Sequence, residues 1–142
     1  MAHLCEAAVV TCEDFRLHQR KDGRNFIAEF VKGLDIEADV ITRGGCIQDM
    51  VRPKPGFADS LLRDLGVSVN LHKVKLIYVI GHEDCGAYAH FNFPSREKEV
   101  AQHWQDLAEA KAVIEKAYPG VQVKTLFAEL EPGSKDRFRL AK

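Results

Sequence analysis

The segment that decides the fold is Leu76-Ile-Tyr-Val-Ile80, which is followed directly by Gly81-His82-Glu83-Asp84-Cys85. Its first part is an unbroken aliphatic and aromatic run, which is typical of a strand buried on both faces of a parallel sheet. Gly81 ends the run, and polar side chains follow at once. The sequence therefore predicts a central strand whose carboxyl end carries a histidine and a cysteine.

Strands and helices alternate on both sides of this central strand. Short apolar segments, the first two rich in β-branched residues, predict three further strands, over residues 7–11, 38–41 and 121–130. Apolar residues at helical spacing predict three helices, over residues 26–34, 57–72 and 95–118. Val51–Gly56 holds two prolines and is expected to be extended or looped. The alternation predicts an α/β fold whose mainly parallel sheet of about four strands is covered by helices on both faces.

Composition and charge limit the class of protein. The chain has 142 residues, 46% hydrophobic and 29% charged, so we expect a single domain over residues 1–142. A net charge of -1 gives no field that would attract nucleic acid or an anionic membrane. We see neither an export signal nor a transmembrane run, and we expect a cytoplasmic protein. Four cysteines in such a chain are predicted to be thiols or metal ligands.

Two loops at the carboxyl ends of predicted strands carry metal-ligand chemistry. They read Cys12-Glu-Asp14-Phe-Arg16 and His82-Glu-Asp-Cys85. If their strands are neighbours, Cys12, His82 and Cys85 converge on one point. Each cysteine taken alone would fit a buried core thiol, but two thiolates and an imidazole together suit Zn²⁺ and leave a fourth position for water. We predict one zinc ion per chain, held by these three residues.

Asp14 and Arg16 lie beside the first predicted ligand. Asp14 would either fill the fourth zinc position or accept a hydrogen bond from the solvent bound there. A bidentate contact from Arg16 would favour the second arrangement, because it would hold the carboxylate ionised and turned away from the metal. A plain surface ion pair is the alternative to both.

The two motifs resemble those of the β-class carbonic anhydrases, whose zinc site is built from Cys-x-Asp-x-Arg and a later His-x-x-Cys. Ile41-Thr-Arg43 and the strand before His82 are also similar to that family, so the likeness covers roughly residues 7 to 90. Arg43-Gly44-Gly45-Cys46 departs from the family's usual Arg-Asn-Ala-Gly and adds a thiol near the predicted metal.

The resemblance implies a zinc lyase that hydrates carbon dioxide reversibly to bicarbonate, through attack by a zinc-bound hydroxide. By this likeness Cys12, His82 and Cys85 bind the metal. Asp14 orients the hydroxide, and Arg16 orients Asp14. The family also implies a small β-carbonic-anhydrase-like fold that forms a homodimer or a higher homo-oligomer.

Three other functions stay open at this point. The zinc could act on carbonyl sulfide or carbon disulfide, or it could be structural, with Asp14 or Cys46 closing the fourth position. Alternatively, Cys12 and Cys85 could form a redox pair without metal. We further expect Trp104 in the core, and His72 and His103 on helix surfaces.

Overall fold

A computed structural model describes residues 3–142 of the chain. In this part of the chain five strands form one sheet, with the bounds β1 Ala7–Cys12, β2 Ala38–Arg43, β3 Leu76–His82, β4 Gln122–Leu130 and β5 Phe138–Leu140. The α-helices of the same part are α1 Phe26–Gly33, α2 Gln48–Val51, α3 Phe57–Leu71 and α4 Arg96–Ala117.

The strand order is β2-β1-β3-β4-β5. The first four strands along the chain pair in parallel, and β5 pairs antiparallel with β4. This confirms the predicted α/β fold with a mainly parallel sheet. The chain adds β2 on one side of β1 and later adds β3 on the other side, so the strand order switches between β1 and β3. In open α/β sheets such a switch point is where the loops part and ligands bind.

Local sequence explains where the helices begin and why α3 continues through a glycine. Asn25 and Ser95 cap α1 and α4, because each side chain accepts a hydrogen bond from a backbone N–H in the first helical turn. Within α3, a β-carbon at Gly66 would lie 2.7 Å from the hydroxyl oxygen of Tyr118. That hydroxyl donates a hydrogen bond to the Leu62 carbonyl, so glycine makes room for a contact that ties α3 to the end of α4.

Two predictions about α4 were wrong. Trp104, expected in the core, is 39% exposed, whereas His103, expected on the surface, is only 3% exposed. The buried face of α4 includes two polar residues, His103 and Asp106. Asp106 accepts hydrogen bonds from Arg52, Tyr88 and Gln102, and these bonds make its burial possible.

Smaller differences concern β5, an unpredicted strand that makes five in place of about four, and the start of the proline-rich loop. Val51 ends α2, so the proline-rich loop begins one residue later than predicted. Among the helices of residues 3–142, none is both long enough and apolar enough to cross a membrane.

Candidate metal centre

The switch point between β1 and β3 places the predicted metal ligands together. Cys12 is the last residue of β1 and His82 is the last residue of β3. The two strands are parallel neighbours, with Thr11 opposite Ile80, so their carboxyl ends lie side by side. The chain then turns through Asp84, whose φ of 57° is left-handed, and the turn is followed by Cys85.

The three side chains form a compact, buried cluster. The sulfur atoms of Cys12 and Cys85 and a ring nitrogen of His82 all lie within 4.8 Å of one another. The two sulfur atoms are 3.9 Å apart. Two thiolates on one tetrahedral zinc ion are about 3.8 Å apart, as follows from a Zn–S bond of about 2.3 Å. The cluster is therefore compatible with a metal without rearrangement of the two thiols.

The ring of His82 is held in a single tautomer. Its Nδ1 lies 2.8 Å from the backbone carbonyl of Glu83. A carbonyl can only accept, so Nδ1 carries the proton of the neutral ring and Nε2 keeps a lone pair. Nε2 is buried without a hydrogen-bond partner in the described chain. An unpartnered buried acceptor costs free energy, and a cation between the two thiols would satisfy it.

The two thiols compete for one negative charge. The pKa of Cys12 is lowered because the thiol of Cys85 donates toward it, and this contact outweighs burial, which would raise the pKa. The same contact raises the pKa of Cys85, and burial raises it further. Without a metal the pair therefore favours one thiolate and one thiol. A bound divalent cation would stabilise both cysteines as thiolates.

Asp14 is turned toward Arg16. The guanidinium donates to both carboxylate oxygens, with Nε to Oδ1 at 3.0 Å and Nη2 to Oδ2 at 2.8 Å. The backbone N–H of Arg16 donates to Oδ1 as well. Burial alone would raise the pKa of Asp14, but these hydrogen bonds outweigh it and hold the pKa below its usual value. The carboxylate stays ionised near the cluster, with Oδ2 3.9 Å from Nε2 of His82.

The structure shows a further residue that the motif analysis missed. Asp84, inside the His-x-x-Cys motif, accepts from Nη1 of Arg16 at 2.9 Å through its carboxylate and from Nη2 at 2.8 Å through its carbonyl. Nη1 also donates to the Lys135 carbonyl at 3.1 Å. Arg16 thus joins both motif loops to the segment before β5. The acidic residue two positions after His82 was the only signal for this role in the sequence.

The glycine pair after β2 shapes the other side of the cluster. The backbone N–H of Gly45 donates to the sulfur of Cys12 at 3.4 Å. Cys46 is buried nearby, and its thiol donates to the Val10 carbonyl at 3.6 Å. Burial raises the pKa of Cys46, and the neighbouring Cys12 raises it further. The structure therefore places Cys46 beside the cluster as a protonated thiol.

A small cavity adjoins the cluster. It measures about 10 Å³, which is room for about one water-sized molecule. Two of the predicted metal ligands, His82 and Cys85, line it. The complete lining is Gly45, Cys46, Ile47, Gly81, His82, Cys85, Tyr88, His103 and Leu107. The ring of His103 was not predicted here. Its Nε2 is buried without a hydrogen bond in the described chain and lies 3.8 Å from Glu99, whose pKa it lowers.

The fold is similar to that of solved β-carbonic anhydrases. The chain is similar to a β-carbonic anhydrase of Sordaria macrospora, with a TM-score of 0.61, 14% identity and coverage of 98% of this chain and 81% of that one. It is also similar to a β-carbonic anhydrase of Trichomonas vaginalis, with a TM-score of 0.57, 17% identity and coverage of 98% and 83%. At these identities the likeness shows a shared fold.

The sequence itself is matched by a family model described as "Putative carbonic anhydrase" over residues 2–133. The chain therefore belongs to this carbonic anhydrase family, which confirms the predicted resemblance. A protein of Rickettsia bellii is 27% identical over 130 residues, covering 87% of this chain and 76% of that one, and is described as uncharacterized. A Rickettsia conorii protein, also described as uncharacterized, is 26% identical over 130 residues, covering 87% and 67%.

Proposed function

We propose that Cys12, His82 and Cys85 bind one zinc ion. The observation that carries this proposal is the fixed tautomer of His82, which leaves the lone pair of Nε2 unpartnered beside two thiols. Sulfur and nitrogen donors in tetrahedral geometry are the preferred ligands of Zn²⁺. Three protein ligands leave one position for solvent, as catalytic zinc sites require.

We further propose that the chain hydrates carbon dioxide reversibly to bicarbonate. Family membership and the fold support this reaction. When bound, zinc would lower the pKa of a coordinated water toward neutrality and so supply the nucleophile. The apolar residues Ile47 and Leu107, which line the small cavity beside His82 and Cys85, support an uncharged substrate.

Asp14 would act as the hydrogen-bond acceptor that orients the nucleophile. Its carboxylate is ionised, and its two oxygens are held by Arg16 beside the cluster. This arrangement supports an open fourth position over one closed by Asp14. The hydrogen bond of Cys46 to the Val10 carbonyl likewise supports a thiol that does not ligate. Arg16 would be a positioning residue, because it acts through Asp14 and contacts no reacting atom.

We also propose that the chain is a single domain that works as a homodimer or a higher homo-oligomer. The similar Sordaria macrospora enzymes are described as tetrameric. Light scattering of the purified chain would measure its mass in solution, and a monomer at the concentrations used for the activity assay would refute this part of the proposal.

Zinc analysis combined with stopped-flow hydration of carbon dioxide tests the proposed function. Cys12→Ser should lose the zinc ion of this centre together with the rate, whereas Asp14→Asn should keep that ion and lose the rate. Asp22→Asn is a matched control, because Asp22 accepts from the backbone N–H and the guanidinium of Arg24, two residues later, and is an exposed residue outside both predicted motifs. Full zinc occupancy with equal rates in the wild type and Asp14→Asn would contradict the enzyme proposal. Sulfide release from carbonyl sulfide, without carbon dioxide hydration, would instead assign the alternative substrate.

A further inference from the structure

A second group of metal-ligating side chains lies at the amino ends of the strands, away from the Cys12 cluster. Cys5 precedes β1, Asp39 belongs to β2, and His72 follows the last residue of α3. The sulfur of Cys5, a carboxylate oxygen of Asp39 and a ring nitrogen of His72 lie within 4.8 Å of one another. All three residues are partly buried, so the group is neither fully exposed nor sealed in the core.

The backbone brings these three residues together. The N–H of Cys5 donates to the carbonyl of His72 at 3.3 Å, which joins the segment before β1 to the end of α3. Asp39 stands opposite Ala8 in the parallel pairing of β1 with β2. The three positions are therefore fixed by hydrogen bonds between elements rather than by flexible side chains alone. Such preorganisation lowers the cost of binding an ion.

An ion pair accounts for only part of the group. Nδ1 of His72 lies 2.7 Å from Oδ2 of Asp39, as expected for a shared proton. The sulfur of Cys5 takes no part in that pair, and its thiol donates to the Ala7 carbonyl at 3.5 Å. A cation in place of the shared proton would need the nitrogen and oxygen about 3.3 Å apart, an opening of about half an ångström. It would also engage the sulfur.

The surroundings provide access and a further donor. A cavity of about 260 Å³ lies against the group and is lined by all three residues. His3 lines the same cavity, so a second imidazole is within the site's reach. Thiolate, imidazole and carboxylate are the donor types that zinc accepts in tetrahedral sites.

We propose that Cys5, Asp39 and His72 form a second zinc site, with His3 or solvent in the fourth position. An ion bound there would join the segment before β1, the edge strand β2 and the end of α3. The site shares no residue with the Cys12 cluster, and it lies at the other end of the strands. The inference therefore does not depend on the proposed hydration activity.

Zinc stoichiometry of the full chain tests this site. After equilibration with zinc and removal of excess metal, elemental analysis should find two equivalents per chain. Cys5→Ser and His72→Gln should each lower the content to one equivalent and leave carbon dioxide hydration unchanged. His90→Gln is the matched control, because His90 is an exposed histidine outside both clusters, and it should keep two equivalents.

The outcomes separate the two sites. Loss of one equivalent in Cys5→Ser with retention of one in Cys12→Ser supports the second site whatever the activity shows. A wild type that binds a single equivalent, lost only in Cys12→Ser, refutes it. A second equivalent that survives both Cys5→Ser and His72→Gln refutes it as well, because that ion must bind elsewhere. Circular dichroism of each variant shows whether a loss of zinc reflects a loss of fold, and folded Cys5→Ser with two equivalents would overturn the proposal.

Discussion

Replacing Arg16 by glutamine tests how the proposed centre is oriented. Glutamine retains a polar side chain but removes the paired donation to both oxygens of Asp14. It also removes the contacts to the carboxylate and the carbonyl of Asp84. The three predicted zinc ligands are untouched, so the variant should keep its metal.

The expected loss follows from the contacts. Arg16 and Asp14 have side chains only 12% and 14% exposed, so solvent screens their contacts weakly. Each charge-assisted hydrogen bond contributes about 1.5 to 2 kcal/mol, and two of them hold the carboxylate in place. If this energy orients Asp14, about 3 kcal/mol corresponds to about a hundredfold decrease in kcat.

The pH dependence of the hydration rate provides an independent test of the same role. Burial raises the pKa of Asp14, and the hydrogen bonds from Arg16 are the largest of the effects that bring it below its usual value. Without Arg16 the pKa should therefore rise. Because the ionised carboxylate is the proposed acceptor, the acid limb of the rate profile should move to higher pH.

Stopped-flow hydration from about pH 4, near the ordinary carboxyl pKa, to about pH 9, with zinc content measured on the same samples, would check both expectations. Arg24→Gln is the control, because Arg24 bonds Asp22 in a similar pattern outside the cluster. It should leave rate and profile unchanged. A zinc-loaded Arg16→Gln variant with the wild-type rate and an unshifted acid limb would refute the orienting role.

Three further predictions concern stability and metal binding. Arg52→Ala should lower the free energy of unfolding at pH 7 by about 2 to 3 kcal/mol, because it strips a partner from Asp106, which is 1% exposed. Arg52 lowers the pKa of Asp106, so the stabilisation from this pair is present above the ordinary carboxyl pKa of about 3.9 and is lost as pH falls through the lower pKa of the folded state. Urea titrations at several pH values would measure this loss, and an equal effect of Arg52→Ala at about pH 2, well below the ordinary carboxyl pKa, would contradict it. Gly45→Ala should cost about 1 to 2 kcal/mol in urea unfolding, because Gly45 has a φ of 79° and a β-carbon would lie 2.9 Å from Nε2 of Gln48; an unchanged midpoint would contradict the strain. Chelation should lower the melting temperature of the zinc-loaded chain, because zinc at a hundred times its Kd adds about 2.7 kcal/mol to the free energy of unfolding. An equal decrease in the Cys12→Ser, Cys5→Ser double variant would show that the effect does not come from the two proposed sites.

The sequence predicts the convergence of Cys12, His82 and Cys85 because its signals are local. Cys12 and His82 each end an apolar strand, and a parallel sheet brings such ends to one edge. Nothing in the residues themselves shows that β1 and β3 are neighbours; that was an assumption, and the strand order confirms it. Asp14 and Arg16 could be proposed as a pair because they are two residues apart.

Other features depend on contacts that spacing does not show. His103 and Asp106 look like surface residues of α4, but they face Tyr88 across the fold, the first by its ring and the second by a hydrogen bond. Trp104 looks like a core residue, but it lies at the edge of the buried face of α4, where its ring centroid is 6.1 Å from that of Phe127 and 39% of the residue stays exposed. The strand β5 has only three residues, Phe138–Leu140, too few for a periodic pattern. Asp84 acts through Arg16, which lies 68 positions away along the chain.

The pairing of β1 with β3 has a consequence for how the chain would acquire the proposed zinc ion. Successive side chains of a strand point to opposite faces of a sheet, so a slip of one residue between these strands would turn the Cys12 sulfur away from His82. A partly assembled sheet would then offer single donors that hold zinc weakly. Tight uptake of the ion would occur late in folding, and it would select molecules whose strands have already aligned correctly.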